Sequence, residues 1–225
     1  CIRAALASPG VAGFPFDLQS LPRRGPCRHL VNSLDLNYMV GNGSLKPNGA
    51  RLLAGQHALI TGAGQGIGAA IAGSLARLGA DLTLLGRREK PLTVRSEALN
   101  EAYGANVHVA VADVTEEGAV QRAFAAATDA LGPPTVLVNN AGVAASVAFP
   151  RMDAAHWQDM IGVNLTGVFH CTRTALPAML TAKYGRVISI ASTAALKGYA
   201  YVAAYCAAKH GVVGLTRALA LETAR

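Results

Sequence analysis

From Arg51 onward the chain alternates short β-branched, apolar runs with longer stretches whose apolar residues recur at helical spacing. Five runs read as strands: His57 to Thr61, Asp81 to Leu85, Val107 to Val111, Thr135 to Asn139 and Arg186 to Ile190. The helical pattern falls between and after them, over Gly68 to Leu78, Lys90 to Tyr103, Glu116 to Leu131, Ile161 to Lys183 and Tyr205 to Glu222. Strands separated by helices of that length pair through right-handed crossovers rather than hairpins. The pattern therefore predicts an α/β fold, a doubly wound parallel sheet with helices on both faces. In such a sheet ligands bind beyond the carboxyl ends of the strands, so the loops that follow strands hold the candidate chemistry.

Residues 1–50 show neither period and hold half of the ten prolines, Pro9, Pro15, Pro22, Pro26 and Pro47. They read as an irregular N-terminal extension without catalytic residues, and residues 51–225 as the folded domain. Residues 1–38 are expected to be poorly packed, with Met39 as a natural start. A transit peptide is the alternative, since Arg3, Arg23, Arg24 and Arg28 stand among few acids, but the prolines spoil an amphipathic helix.

Composition narrows the function. The 225 residues are 52% hydrophobic, enough for one sizeable core. A net charge of +7 raises the question of a nucleic-acid partner, but pairs such as Arg23-Arg24 and Arg87-Arg88 stand alone and form no polybasic stripe, so none is expected. The four cysteines have no metal-ligand spacing, so no metal site and a reducing, cytoplasmic compartment are expected. No apolar run reaches the ~18 residues of a membrane span.

Three local signals carry chemistry. The first strand runs into Thr61-Gly62-Ala63-Gly64-Gln65-Gly66-Ile67-Gly68, a glycine-rich turn that opens a helix. Glycines let the backbone approach a diphosphate, and a helix N-terminus offers it free N–H groups. A tight turn with no ligand is the alternative. The second signal is Tyr205-Cys206-Ala207-Ala208-Lys209, whose spacing puts phenol and ammonium on one helix face. A nearby cation favours the phenolate, and among the six tyrosines only Tyr205 has a lysine four residues on. The third is Ser192, thirteen residues before Tyr205 and just past the last strand, where its hydroxyl can meet a carbonyl oxygen or merely cap a turn. Ser189, inside the strand, and Thr193 are weaker rivals.

Together with Asn139-Asn140-Ala141-Gly142, these motifs in this order resemble the short-chain dehydrogenase/reductase family over residues 51–225. The resemblance implies a Rossmann-type fold, a nicotinamide dinucleotide, and hydride exchange with a carbonyl or secondary alcohol. It implies roles as well. Ser192 would orient the substrate oxygen, Tyr205 pass the proton, Lys209 assist Tyr205 and bind the nicotinamide ribose, and Asn164 hold a water of the proton relay. Gly62, Gly64, Gln65, Gly66, Ile67 and Gly68 would hold the diphosphate, Asp113 and Val114 the adenine, and Asn140, Ala141 and Gly142 the rest of the cofactor, with Asn139 bracing the sheet. Asp113 starting a helix, and Asn164 bonded to helix backbone, are the plain alternatives. His170, His210 and Trp157 read as structural.

Cofactor choice turns on the end of the second strand, Leu84-Leu85-Gly86-Arg87-Arg88. Asp81 begins that strand at the far edge and cannot reach the ribose. Gly86 leaves room for a 2′-phosphate and Arg87 offers it a planar fork of donors, which favours NADP(H), with Arg88 adding charge or facing solvent. Gln65 stands where many NADP-preferring relatives carry a second basic residue. NAD is the alternative cofactor. The expected substrate is a small or medium carbonyl/secondary alcohol pair, 3-oxoacyl thioesters included. Rival readings are an NAD-dependent hydroxy acid or polyol dehydrogenase and a non-catalytic dinucleotide-binding relative. By the same resemblance a homodimer or homotetramer is expected, and further strands are expected to follow the last helix, so that the sequence ends short of part of the substrate pocket.

Overall fold

The computed structural model describes residues 3–5 and 51–224. Strand β1 is Arg3–Ala5, β2 His57–Thr61, β3 Asp81–Gly86, β4 Val107–Val111, β5 Val136–Asn139 and β6 Arg186–Ile190. They pair in the order β1-β6-β5-β2-β3-β4, every pair parallel. Helices α1 (Gly66–Arg77), α2 (Glu89–Tyr103), α3 (Glu117–Leu131), α4 (Ala154–Ile161), α5 (Gly167–Thr181) and α6 (Ala203–Glu222) supply the crossovers and the closing helix. This is the doubly wound, Rossmann-type arrangement.

The central strand β2 is buried along its whole length, as expected of a strand covered on both faces. Its side chains divide by the two-residue period of a strand. Leu59 joins Leu85, Leu137, Val120, Phe124 and Cys171 in the core under α3 and α5. Ala58 and Ile60 join Leu82, Leu84, Val138 and Leu99 under α1 and α2. The sheet order reverses between β2 and β5, since one connection leads outward to β3 and β4 and the other to β6. Their carboxyl ends therefore open the crevice in which this fold binds ligands.

The structure departs from the sequence reading in two places. Arg3–Ala5, read as irregular, pair in register with Ile188, Ser189 and Ile190. Among the described residues β6 has no other partner on that side, and this short strand pairs the backbone groups there. The other expectations for residues 1–50, including the loose packing of 1–38, lie outside the described residues. The second departure is the helix read as Ile161 to Lys183, which begins earlier. Asp153 caps α4 by accepting the His156 N–H at 2.8 Å. Between α4 and α5 lies a π-helical turn, Gly162–Thr166, with Asn164 at its centre.

Candidate active site

The turn after β2 is held by neighbours rather than by itself. Thr61 Oγ1 accepts the N–H groups of Asn140 and Ala141, both at 2.9 Å, and Asn140 Nδ2 donates to the carbonyls of Thr61 at 2.9 Å and Gly62 at 3.2 Å. The loops leaving β2 and β5 are thus sewn together at the point where the sheet order reverses. That closeness explains the glycines. Gly62 has φ +67°, and a Cβ there would stand 3.0 Å from Ala141 Cα. A Cβ at Gly68 would overlap the Gly62 carbonyl oxygen and stand 2.5 Å from Asn140 Nδ2. Helix α1 starts at Gly66 after Gln65, with no side chain capping its first N–H groups and no acid in its first turn. Uncapped N–H groups at the positive end of a twelve-residue helix suit an anion.

A cleft of about 350 Å³ runs from this turn to the ends of β3 and β4. Of the residues expected to bind cofactor, Gly62, Gly64, Gln65, Gly66, Ile67, Arg87, Asp113, Val114, Asn140, Ala141 and Gly142 line it; Gly68, Tyr205 and Lys209 do not. Gly68 acts from behind, as the close-packing position just described. Arg87 Nη1 lies 3.7 Å from Asp113 Oδ2 across the far end, and Arg88 Nη2 donates to Gln65 Oε1 at 2.8 Å. Asp113 does not begin α3, which starts at Glu117; its Oδ1 accepts both the N–H and the hydroxyl of Thr115, an Asx turn that aims the loop. Asp81 pairs with His57 at the opposite edge, far from these groups, as its place in the strand requires.

Beside the cleft's other end Lys209 and Asn164 are buried, and Ser192 and Tyr205 are half-buried. Lys209 Nζ donates to the carbonyl of Ile190 at 2.9 Å and lies 5.7 Å from the Tyr205 ring centroid. Burial pushes its pKa down to about 8, because a cation loses hydration there. Asn164 is fully buried, with Nδ2 donating to the carbonyls of Val143 and Met160 and Oδ1 accepting the Val143 N–H. A methyl placed on Gly142 would meet Asn164 Oδ1 at 2.9 Å and Lys209 Nζ at 3.7 Å, so these two polar groups border one small space at the cleft wall. Ser192, at the end of β6, caps a short 3₁₀ turn (Thr193–Ala195) by accepting the Ala194 N–H at 3.2 Å. That bond uses a lone pair and leaves the hydroxyl proton free to donate.

Residues 56–225 match the family model described as short chain dehydrogenase. The chain belongs to this oxidoreductase family. Relatives include D-beta-hydroxybutyrate dehydrogenase of Cupriavidus necator, 38% identical over 77% of this chain and 67% of that protein. Another is a 3-oxoacyl-[acyl-carrier-protein] reductase of Aquifex aeolicus, 32% identical over 76% of this chain and 69% of that one. A Sinorhizobium meliloti protein solved as a "putative short-chain alcohol dehydrogenase" superposes with a TM-score of 0.75 at 33% identity, covering 78% of this chain and 69% of its own. The chain spans about two thirds of the length of the curated relatives it matches.

Within this short-chain dehydrogenase frame the remaining residues fall into place. Asn139 is buried, and its Nδ2 donates to Thr172 Oγ1 at 2.9 Å, tying β5 to α5. His170 Nδ1 bonds the Val114 carbonyl and His210 Nδ1 the Cys206 carbonyl, both structural uses. Trp157, read as a packing residue, is 37% exposed. Ser189 is buried within β6, and Thr193 accepts the Tyr199 hydroxyl at 3.0 Å. Two features went unread in the sequence. Thr61 is the acceptor that locks the two loops, and its only signal is a hydroxyl at the last position of a strand. His57 is buried at the amino edge, with burial lowering its pKa; a histidine beginning an apolar strand is the only hint.

Proposed function

We propose that this protein is an NADP(H)-preferring oxidoreductase that interconverts a carbonyl and a secondary alcohol, with 3-oxoacyl thioesters among its substrates. The observation that carries the reading is the placement of Lys209. A buried ammonium stands beside the Tyr205 ring on one side and at the Gly142 wall of the cleft on the other.

The nicotinamide cofactor, when bound, donates or accepts the hydride. The residues present fit such a group: Gly66, which lines the cleft at φ +57°, has nothing within 4 Å of where a Cβ would stand, and the start of α1 there is uncapped. In the reductive direction the Ser192 O–H donates to the carbonyl oxygen and polarises it. The Tyr205 O–H passes its proton to that oxygen as charge develops, which yields the alcohol. Lys209 stabilises the phenolate left behind and hydrogen-bonds the ribose. Asn164, fixed to Val143 and Met160, holds the water through which a proton returns.

Preference for the 2′-phosphate rests on the end of β3. Gly86 and Arg87 line the cleft with no acid beside them on that strand end, and Arg88 is held near the turn by Gln65. Asp113 engages Arg87 loosely, so the guanidinium can turn to a phosphate. We take the protein, by its family, to be a cytoplasmic homodimer or homotetramer. No described helix is long and apolar enough to cross a membrane.

The test is a panel of ketones and 3-oxoacyl thioesters with NADPH and NADH, together with the binding of each cofactor. NADPH should bind more tightly, and Arg87→Ala should weaken NADPH selectively, by about tenfold for one charge-assisted contact. Equal affinities in the parent, or no selective loss in the variant, would overturn the NADP(H) preference. Cofactor binding without turnover of any carbonyl would favour the non-catalytic reading.

A further inference from the structure

The far end of the cleft is built by two neighbouring strands. β3 and β4 pair in register up to Gly86 and Val111, and one step beyond, the Gly86 carbonyl accepts the Ala112 N–H at 3.0 Å. Arg87 and Asp113 therefore leave adjacent strand ends that the sheet holds together, and both line the cleft. The Asp113 carboxylate is divided between two neighbours. Its Oδ1 accepts the Thr115 N–H at 2.9 Å and the Thr115 hydroxyl at 2.8 Å, which fixes the orientation of the group. Its Oδ2 stands 3.7 Å from Arg87 Nη1. The carboxylate is thus anchored by its own loop, and the more exposed guanidinium, at 64% against 33%, is the partner that has to move if the pair is to part.

Arg88 makes the contrast. Its Nη2 donates to an uncharged group, Gln65 Oε1, so nothing in that bond offsets its charge. Arg87 faces an anion before any cofactor arrives. A 2′-phosphate at Arg87 has to draw the guanidinium from that carboxylate, whereas a free 2′-hydroxyl carries no charge and competes for nothing. We infer that Asp113 is a specificity-determining residue that works against the 2′-phosphate: by holding Arg87 it narrows the margin between NADP(H) and NAD(H), and removing its charge widens that margin. The inference rests on the placement of the 2′-phosphate at Arg87 proposed above, and adds what restrains it. It is separable from an adenine contact by Asp113. Adenine is common to both cofactors, so a contact there moves both affinities together and leaves their ratio alone.

The experiment measures the dissociation constants of NADPH and NADH by cofactor fluorescence for the parent, Asp113→Asn, Arg87→Ala and the double variant, with thermal unfolding as the check on folding. Asparagine keeps an oxygen for the Thr115 bonds and sets an uncharged amide where Oδ2 stood. The ratio of the NADH constant to the NADPH constant should rise about two- to fivefold in Asp113→Asn, the range expected when an ion pair open to water is released. In the Arg87→Ala background the same substitution should change the ratio by less than about 1.5-fold, because the pair is already gone. If Asp113→Asn unfolds at a lower temperature than the parent, Asp113→Ser, whose hydroxyl still accepts the Thr115 N–H, should raise the ratio likewise. A ratio that is unchanged or lower in these variants, while Arg87→Ala still lowers it, overturns the inference alone. So does a rise of equal size with and without Arg87, which would take the ion pair out of the cause. A ratio that Arg87→Ala leaves unchanged removes the phosphate from Arg87, and this inference with it.

Discussion

The two ends of the sheet treat polar groups in opposite ways. At the amino edge, His57 is buried and bonded through both ring nitrogens, Nδ1 to the Gly132 carbonyl at 2.7 Å and Nε2 to Thr83 Oγ1 at 2.8 Å. Its own carbonyl accepts from Thr135, whose carbonyl in turn accepts the Arg186 N–H. At the carboxyl edge, α1 begins uncapped, Gly62 and Gly66 take positive φ, and Lys209 is buried as a cation. At one edge His57, Thr83 and Thr135 satisfy one another and the neighbouring backbone internally. The other leaves donors, space and charge available, at some cost in stability, and that is where a ligand adds what is missing.

The contrast breaks most visibly if the reactive edge can lose a single oxygen without consequence. Tyr205→Phe should lower turnover by ~10²- to 10⁴-fold, the usual contribution of a general acid, while leaving NADPH affinity near that of the parent. Retention of most of the rate would remove Tyr205 from the mechanism. Gly68→Ala should be the most damaging change on the cofactor side. Its methyl has no room against the Gly62 carbonyl and Asn140 Nδ2, so thermal unfolding should show a loss of about 1–3 kcal/mol, with weaker NADPH binding. A Tm equal to the parent's would mean that the two loops part easily.

How much of this was legible in the sequence follows from the range of the forces involved. Four of the five strands read from it have the same starting residue in the structure, because a buried strand writes its pattern into consecutive residues. The glycine turn and the Tyr205–Lys209 pair were legible for the same reason, since both are local spacings. The hydrogen bonds of Thr61 to Asn140 and Ala141 were not, because they join positions nearly eighty residues apart in the chain. The π-helical turn at Asn164 was hidden too. There the Asn164 side chain reaches the Met160 carbonyl, a tertiary choice that helix periodicity does not record. Arg3–Ala5 has no strand period of its own and exists as a strand only through β6.

The comparison also has a form that needs no ligand. If burial of the Lys209 cation costs stability, Lys209→Met should raise the stability of the cofactor-free protein at pH 7. Folding lowers the Lys209 pKa from 10.5 to about 8, so the folded state disfavours its charged form. The cost is therefore complete below about pH 8, shrinks as pH rises, and vanishes above 10.5. A gain of roughly 1–3 kcal/mol is expected, reduced by the Ile190 carbonyl that loses its donor. Urea unfolding at pH 7 and pH 10 measures it, and a destabilised variant at pH 7 would show that the ammonium holds this edge together.

The smallest effect belongs to the amino edge. The Gly132 carbonyl can only accept, so Nδ1 of His57 carries the proton and Nε2 accepts from the Thr83 hydroxyl, which fixes the neutral ring in one tautomer. Burial is the main reason its pKa lies below the ordinary 6.5; the Gly132 bond and Asp81 pull upward less strongly, and His108 adds to the lowering. Below pH 6.5 the unfolded chain therefore gains a proton at this site that the folded protein resists. Stability should be fully present above 6.5 and decline as pH falls toward the depressed folded value, by at most about 1.4 kcal/mol per pH unit for one proton. His57→Asn removes the titrating ring and leaves Asp81 and His108 in place, so the difference between the two slopes from pH 7 to pH 5 isolates His57. Parallel slopes would mean that the closed edge tolerates the charge, and that its internal hydrogen bonds do not distinguish it from the reactive edge.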